Sequence, residues 1–117
     1  GIESRGFLFG TPIADKLNAA FVPIRKPGKL PCNTAKIEYE LEYGTDTLEI
    51  HTNAINKGQN VLVVDDLLAT GGTAEAACQL VSKIKGTIKG VTVLVELEFL
   101  NGREKLNPYN VHSIVKY

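Results

Sequence analysis

The stretch VLVVDDLLATGGT, Val61 to Thr73, decides how this chain is read. Val61–Val64 is a continuous apolar run of branched residues, the pattern of a strand buried in a parallel sheet. Two carboxylates, Asp65 and Asp66, follow at once. A loop from Leu67 to Gly72 then leads into an expected helix at Thr73. Ligands of parallel α/β sheets bind beyond the carboxyl ends of the strands, so the acids are expected at such an end. The helix start would offer free N–H groups and a partial positive charge. Ala69, Thr70, Gly71, Gly72 and Thr73 supply small side chains, two hydroxyls and a glycine pair that lets the backbone approach a ligand. This is a phosphate cradle without the lysine of a GxxxxGK[ST] loop, which argues against a nucleoside triphosphatase. Carboxylates beside a phosphate site make sense if they accept hydrogen bonds from vicinal sugar hydroxyls. The acids then face a ribose and the loop faces a phosphate on the same sugar. The plain alternative is a solvated strand end and an ordinary turn. It leaves two adjacent acids directly after four core residues without a reason.

Hydrogen bonds to a charged group contribute about 1.5–3 kcal/mol each. Micromolar binding needs about 8 kcal/mol after ordering costs. The loop alone can anchor a phosphate, but tight binding needs further contacts.

Outward from this stretch the pattern alternates between strands and helices. Residues 6–18 read as a helix in their second half, with Pro12 in the first turn and Ile13 and Leu17 on one face. Residues 20–24 read as a short apolar strand, and RKPGKLPCN, 25–33, as a basic loop punctuated by Pro and Gly. Ile37, Tyr39 and Leu41, then Leu48 and Ile50, alternate in period two around YGTD, which predicts a half-exposed hairpin. A helix is expected over 73–85, with Ala77, Leu80, Val81 and Ile84 on one face and Gly86 at its end. A strand over 91–97, a short basic helix over 102–106 and a last strand over 111–115 complete the chain. The fold class is α/β, a central mostly parallel sheet flanked by helices with a protruding antiparallel hairpin lid, in one domain over 1–117. The opening GIESRGFLFG reads as a strand end, a loop and a helix, so a preceding N-terminal strand is expected to be missing.

Composition excludes several classes. Thirteen Lys and Arg balance thirteen Asp and Glu, whereas nucleic-acid binding usually brings a basic excess. No apolar run approaches the roughly 20 residues of a membrane span. Cys32 and Cys78 lie far apart with no nearby His, which fits one loop thiol and one buried small hydrophobe rather than a disulfide or zinc site. A reducing, cytoplasmic setting fits.

VLVVDDLLATGGT resembles the phosphoribosyl-diphosphate (PRPP) signature of type I phosphoribosyltransferases. RGFLFG, FVPIRKPGKLP, YELEYGTDTLEIH and VELEFLNGREKL resemble the adenine branch of that family, in order and over essentially the whole chain. The resemblance implies the reaction of adenine with PRPP to give AMP and pyrophosphate, with Mg²⁺ held mainly by PRPP and water, in a homodimer. It implies that Asp65 and Asp66 bind ribose hydroxyls and that Ala69–Thr73 hold the 5′-phosphate. It places Glu3, Ser4, Arg5 and Gly6 in a pyrophosphate loop, with Arg5 on the diphosphate. Arg25, Lys26 and Lys29 fall in a basic segment that reaches pyrophosphate, Arg25 across a dimer interface. Glu42 and Tyr43 fall in a mobile loop that closes over the site, and Leu97 would pack on adenine.

A water-sensitive, positively charged ribose at the moment of bond breaking makes such a lid reasonable, around residues 34–50. Glu42 could exchange a proton with the purine. A solvent-facing charge like Glu38 and Glu40 is the other reading of it. His51 reads as a surface residue at the hairpin end, His112 as structural, Arg103 and Lys105 as a solvated helix face, and Tyr39 as packing under the lid. A phosphoribosyltransferase for another purine and a non-catalytic PRPP-binding regulatory domain remain open. The second would need neither Arg5 and Arg25 nor the LEYG loop.

Overall fold

The computed structural model describes residues 1–117. The chain runs through α1 (Phe7–Lys16), β1 (Thr34–Glu40), β2 (Thr45–His51), β3 (Asn60–Leu68), α2 (Gly72–Lys83), β4 (Thr87–Glu96) and β5 (Val111–Lys116). Two 3-10 turns, Glu98–Leu100 and Gly102–Leu106, join β4 to β5. β3, β4 and β5 form a parallel sheet in that order, and β1 and β2 form a separate antiparallel hairpin. The α/β class, the parallel sheet and the hairpin are as the sequence predicts.

The apolar face of α2 explains its position. Ala74, Ala77, Cys78, Leu80 and Val81 are buried and meet Val63, Val91 and Val93 in one core. Cys78 is buried and Cys32 exposed, both as free thiols, and burial pushes the Cys78 thiol up to about 11. Leu48 and Ile50 of β2 join this core, with Ile37 and Tyr39 of β1 packed against it. The hairpin is therefore fastened along its body. Arg25 and Glu49 exchange backbone hydrogen bonds at 3.0 and 2.8 Å. Lys83 Nζ donates to Lys36 O at 2.9 Å. Only the tip projects. Leu41 N–H donates to Gly44 O at 2.9 Å, and Gly44 has φ +91°, a conformation that favours glycine.

Several boundaries differ from the sequence reading. α1 begins at Phe7, so Pro12 lies in its interior rather than its first turn. Pro12 cannot donate the intrahelical bond there. Residues 20–23 form no strand; only Ile24 and Arg25 make isolated bridges, to Ile2 and Glu49. The hairpin turn is Leu41–Gly44, with Thr45 and Asp46 already in β2, and Leu41 is exposed past the end of β1. Leu62 is exposed rather than buried and lines an apolar groove with Ile13 and Leu17. At the end of α2, Lys85 rather than Gly86 takes the left-handed conformation, φ 72°. Gly86 answers a packing need, because a Cβ there would come within 2.7 Å of Val81 Cγ1.

Candidate active site

β3 does not stop at Val64. Leu67 and Leu68 still pair with Val95 and Glu96, so Asp65 and Asp66 lie inside the strand rather than beyond it. The loop shrinks to Ala69–Gly71, and α2 starts at Gly72. Gly71 is the N-cap, with φ +88°. The first backbone bond of α2 runs from Glu75 N–H to Gly71 O at 2.9 Å, leaving the amides of Gly72, Thr73 and Ala74 ahead of the intrahelical ladder.

These residues line a cavity of about 370 Å³. Glu3, Ser4, Arg5 and Lys26 close one side, and Asp65, Asp66 and the loop through Ala74 form the other. Of the residues singled out in the sequence, the structure brings Glu3, Ser4, Arg5, Lys26, Asp65, Asp66, Ala69, Thr70, Gly71, Gly72 and Thr73 together on its wall. Gly6, Arg25, Lys29, Glu42, Tyr43 and Leu97 do not line it. Gly6 lies just behind, where a Cβ would stand 2.5 Å from Ile2 O and 3.0 Å from Asp65 Oδ1. Glu42 and Tyr43 are exposed at the hairpin tip. Leu97 follows β4, half-buried, its N–H donating to Leu68 O at 2.9 Å.

The charges in and around the cavity are paired. Arg5 Nε donates to Asp66 Oδ2 at 2.5 Å. Asp65 Oδ1 accepts from the Asp66 N–H at 2.9 Å. Asp65 is almost fully buried, and that burial, with Asp66 beside it, pushes its pKa up to about 7, although the Asp66 N–H and Arg5 pull the other way. Glu3 has a side chain only 6% exposed and binds the basic loop from inside. It accepts from Arg25 Nε and Lys29 Nζ, both at 2.8 Å. Burial works against the Glu3 charge, but the hydrogen bonds from Lys29 and Arg25 outweigh it and hold the carboxyl below its usual range. Lys26 pairs with Asp46 of β2; burial opposes both charges, but their hydrogen bond, their mutual attraction and Tyr39 together outweigh it, raising Lys26 and lowering Asp46. Tyr39, opposite Asp46 in the hairpin, places its hydroxyl 3.3 Å from Thr73 Oγ1.

A carboxyl with a raised folded pKa, such as Asp65, keeps its proton in the native state where the unfolded chain has lost it. Stability falls as pH rises from about 4 through about 7. Thermal unfolding of the ligand-free chain is expected to show a midpoint that declines from about pH 5 to about pH 8, with a clearly flatter profile for Asp65→Asn. Equal slopes in the two proteins would show that Asp65 is not the group responsible.

Three residues read otherwise in the sequence change character here. Arg103 is not on a solvated helix face. Its Nε and Nη2 donate to the two oxygens of Glu96 at 2.6 and 2.7 Å, Nη1 to Val111 O at 2.7 Å, and Nη2 also to Ser113 Oγ at 3.1 Å. Those bonds hold the Glu96 carboxyl below its usual range against its burial. His51, the last residue of β2, is half-buried, and His112 is exposed on β5 rather than packed inside. Leu67, Leu68 and Ala74 line the cavity unannounced, because their neighbours carry the recognisable pattern.

A buried and a half-buried acid side by side for vicinal hydroxyls and a glycine-capped helix start for a phosphate, under one arginine, mark a sugar-phosphate site. On a parallel sheet that combination defines the phosphoribosyltransferase class. Residues 1–115 match the phosphoribosyl transferase domain family. An adenine phosphoribosyltransferase of Acetivibrio thermocellus is 62% identical over all 117 residues, which span 68% of that protein. The crystal structure of adenine phosphoribosyltransferase from Thermoanaerobacter pseudethanolicus superposes with a TM-score of 0.97 at 55% identity, covering 99% of this chain and 67% of that one. The Saccharomyces cerevisiae enzyme, in a complex with an imino-altritol bisphosphate and adenine, gives a TM-score of 0.93 at 50% identity, over 97% of this chain and 64% of that one. This chain belongs to the adenine phosphoribosyltransferase family, enzymes of the phosphoribosyltransferase class, and it spans about two thirds of the length of such relatives.

Proposed function

We propose that this chain carries the phosphoribosyl-transfer centre of an enzyme that converts adenine and PRPP to AMP and pyrophosphate. The observation that carries the reading is the shared cavity of Asp65, Asp66 and the Ala69–Thr73 loop, with Arg5 over it. Asp65 and Asp66 accept from the ribose hydroxyls, and the loop amides with Thr70 and Thr73 hold the 5′-phosphate. The bond from the anomeric carbon to the diphosphate oxygen breaks with its electron pair leaving on pyrophosphate. A ring nitrogen of adenine then supplies the pair for the new C–N bond and loses its proton. Arg5, released from Asp66, stabilises the charge on the leaving group, with Ser4 and Lys26 on the same cavity wall. Glu3 acts through Arg25 and Lys29, aiming both cations from a buried anchor. Gly6 keeps the space behind Asp65 clear.

The tip residues Glu42 and Tyr43 close over bound substrate, Glu42 taking the adenine proton, and Leu97 packs on the base. The cavity offers the carboxylates of Glu3, Asp65 and Asp66, two of them engaged by cations. These carboxylates do not form a cluster that could hold a metal ion by itself, so Mg²⁺ would be held mainly by PRPP oxygens and water. The ion would neutralise part of the leaving charge. A homodimer belongs to the same proposal, in which Arg25, held by Glu3, points at the diphosphate of a partner. So does a cytoplasmic setting, supported by two free thiols.

The test is AMP formation from adenine, PRPP and Mg²⁺, with hypoxanthine and guanine in parallel and a PRPP titration on the same sample. Adenine-specific turnover is expected. Turnover on another purine would reassign the base, and PRPP binding with no turnover on any base would favour a regulatory domain.

A further inference from the structure

The Ala69–Gly71 loop rests on another piece of backbone. A Cβ on Gly71 would stand 2.4 Å from Gly102 O, and a Cβ on Gly102 would stand 2.4 Å from Ala69 O and 3.1 Å from Gly71 N. Two glycines about thirty positions apart thus let two main chains touch with no side chain between them. Gly102 opens a 3-10 turn, a structure with few and poorly aligned internal hydrogen bonds. Such a turn does not hold its own place, so something else must fix it.

The neighbouring residue does. Arg103 spends all three of its nitrogens on the sheet, on both oxygens of Glu96 at the end of β4 and on the β5 carbonyl of Val111. Ser113 Oγ donates to Glu96 Oε2 at 2.5 Å and accepts from Arg103 in turn. Glu96 is 3% exposed, so its charge depends on this partner. The far end of the turn is pinned by Leu106, which is fully buried.

We propose that Arg103 is a positioning residue for PRPP. By clamping the turn to the ends of β4 and β5, it fixes Gly102 as the floor that shapes the Ala69–Gly71 backbone, and so aims the loop amides at the 5′-phosphate. This rests on the reading of Ala69–Thr73 as the phosphate loop. Lysine at 103 keeps a positive charge near Glu96 but cannot donate to both carboxylate oxygens and the Val111 carbonyl together. The floor loosens while the core stays charge-balanced.

The experiment compares the unmodified chain with Arg103→Lys and the milder Ser113→Ala, by steady-state kinetics and by hydrogen exchange of the ligand-free proteins. For Arg103→Lys, KM for PRPP is expected to rise about tenfold, with kcat at saturating PRPP and KM for adenine within about twofold. Exchange should quicken at 69–74 and not in β3 or β4. A stabilising role alone would lower the melting temperature with the loop no more exchangeable than the sheet and KM unmoved; that result overturns the proposal. If Arg103→Lys does not fold, Ser113→Ala decides by the same split at a smaller amplitude. If the unmodified chain does not bind PRPP, the functional reading fails by itself. The exchange data still judge the floor, and unchanged rates at 69–74 would overturn it.

Discussion

Asp65→Asn combined with Asp66→Asn is expected to lower kcat/KM for PRPP by about three orders of magnitude. Each carboxylate would accept charge-assisted hydrogen bonds from ribose, and losing such a bond costs about 1.5–3 kcal/mol. Two losses in one site give roughly 3–6 kcal/mol, or about 100-fold to 10,000-fold in kcat/KM. The amides keep the shape of the acids, so packing is preserved. The ligand-free protein should remain folded, because Asp65 is held at a cost to its own ionisation and Asp66 pairs with an exposed arginine. Calorimetric titration with PRPP, beside a melting curve for each protein, separates lost binding from lost fold. PRPP affinity within about threefold of the unmodified chain in a folded double variant would remove these two residues from the sugar site.

Glu42→Gln should act on the other half of the reaction. Glu42 stands at the exposed hairpin tip and contributes nothing to the cavity wall in the open state. Its amide analogue should therefore bind PRPP with unchanged affinity. It cannot take the adenine proton, and general-base removal of this kind slows turnover by about 100-fold or more. Single-turnover measurements at saturating PRPP isolate that step. A kcat equal to that of the unmodified chain would return Glu42 to an ordinary surface charge. An equal loss of PRPP binding in Glu42→Gln and the Asp65/Asp66 pair would undo the separation of roles.

Much of the architecture is legible in local pattern. Val61–Val64 announces a parallel strand, Ala77–Leu80–Val81 the buried face of α2, and the alternation around Ile37 and Leu48 the hairpin. What escapes local reading is decided by partners far along the chain. β3 runs on through its acids because Val95 and Glu96 are there to pair with. Residues 20–23 look like a strand by hydrophobicity, yet Pro23 has no N–H to give and only Ile24 and Arg25 find a bridge. Arg103 in NGREKL has the look of a solvated charge, because nothing marks Glu96 seven residues earlier as buried or Ser113 ten later as its partner. Glu3 reads in the sequence as part of a pyrophosphate loop, but only the fold shows that its side chain faces inward as the anchor of two cations. The acid pair and the glycine loop were the readable part of the site because they are contiguous. The cations opposite them come from separate segments.

The fastening of the hairpin sets a clock. Contacts from Arg25, Lys83 and Thr73 secure its body as far as Tyr39, and Lys26 secures Asp46 on the other limb. Only the turn Leu41–Gly44 and the last pair of the ladder, Glu40 and Thr45, lie beyond these anchors. Three residues a side, at about 3.3 Å each, make an arm of roughly 10 Å. So short a loop moves in nanoseconds to microseconds, whereas enzymes commonly turn over about ten times a second. A tip this short would sample open and shut many thousands of times within a cycle of that length, so if it closes over substrate as proposed, its motion would not limit turnover.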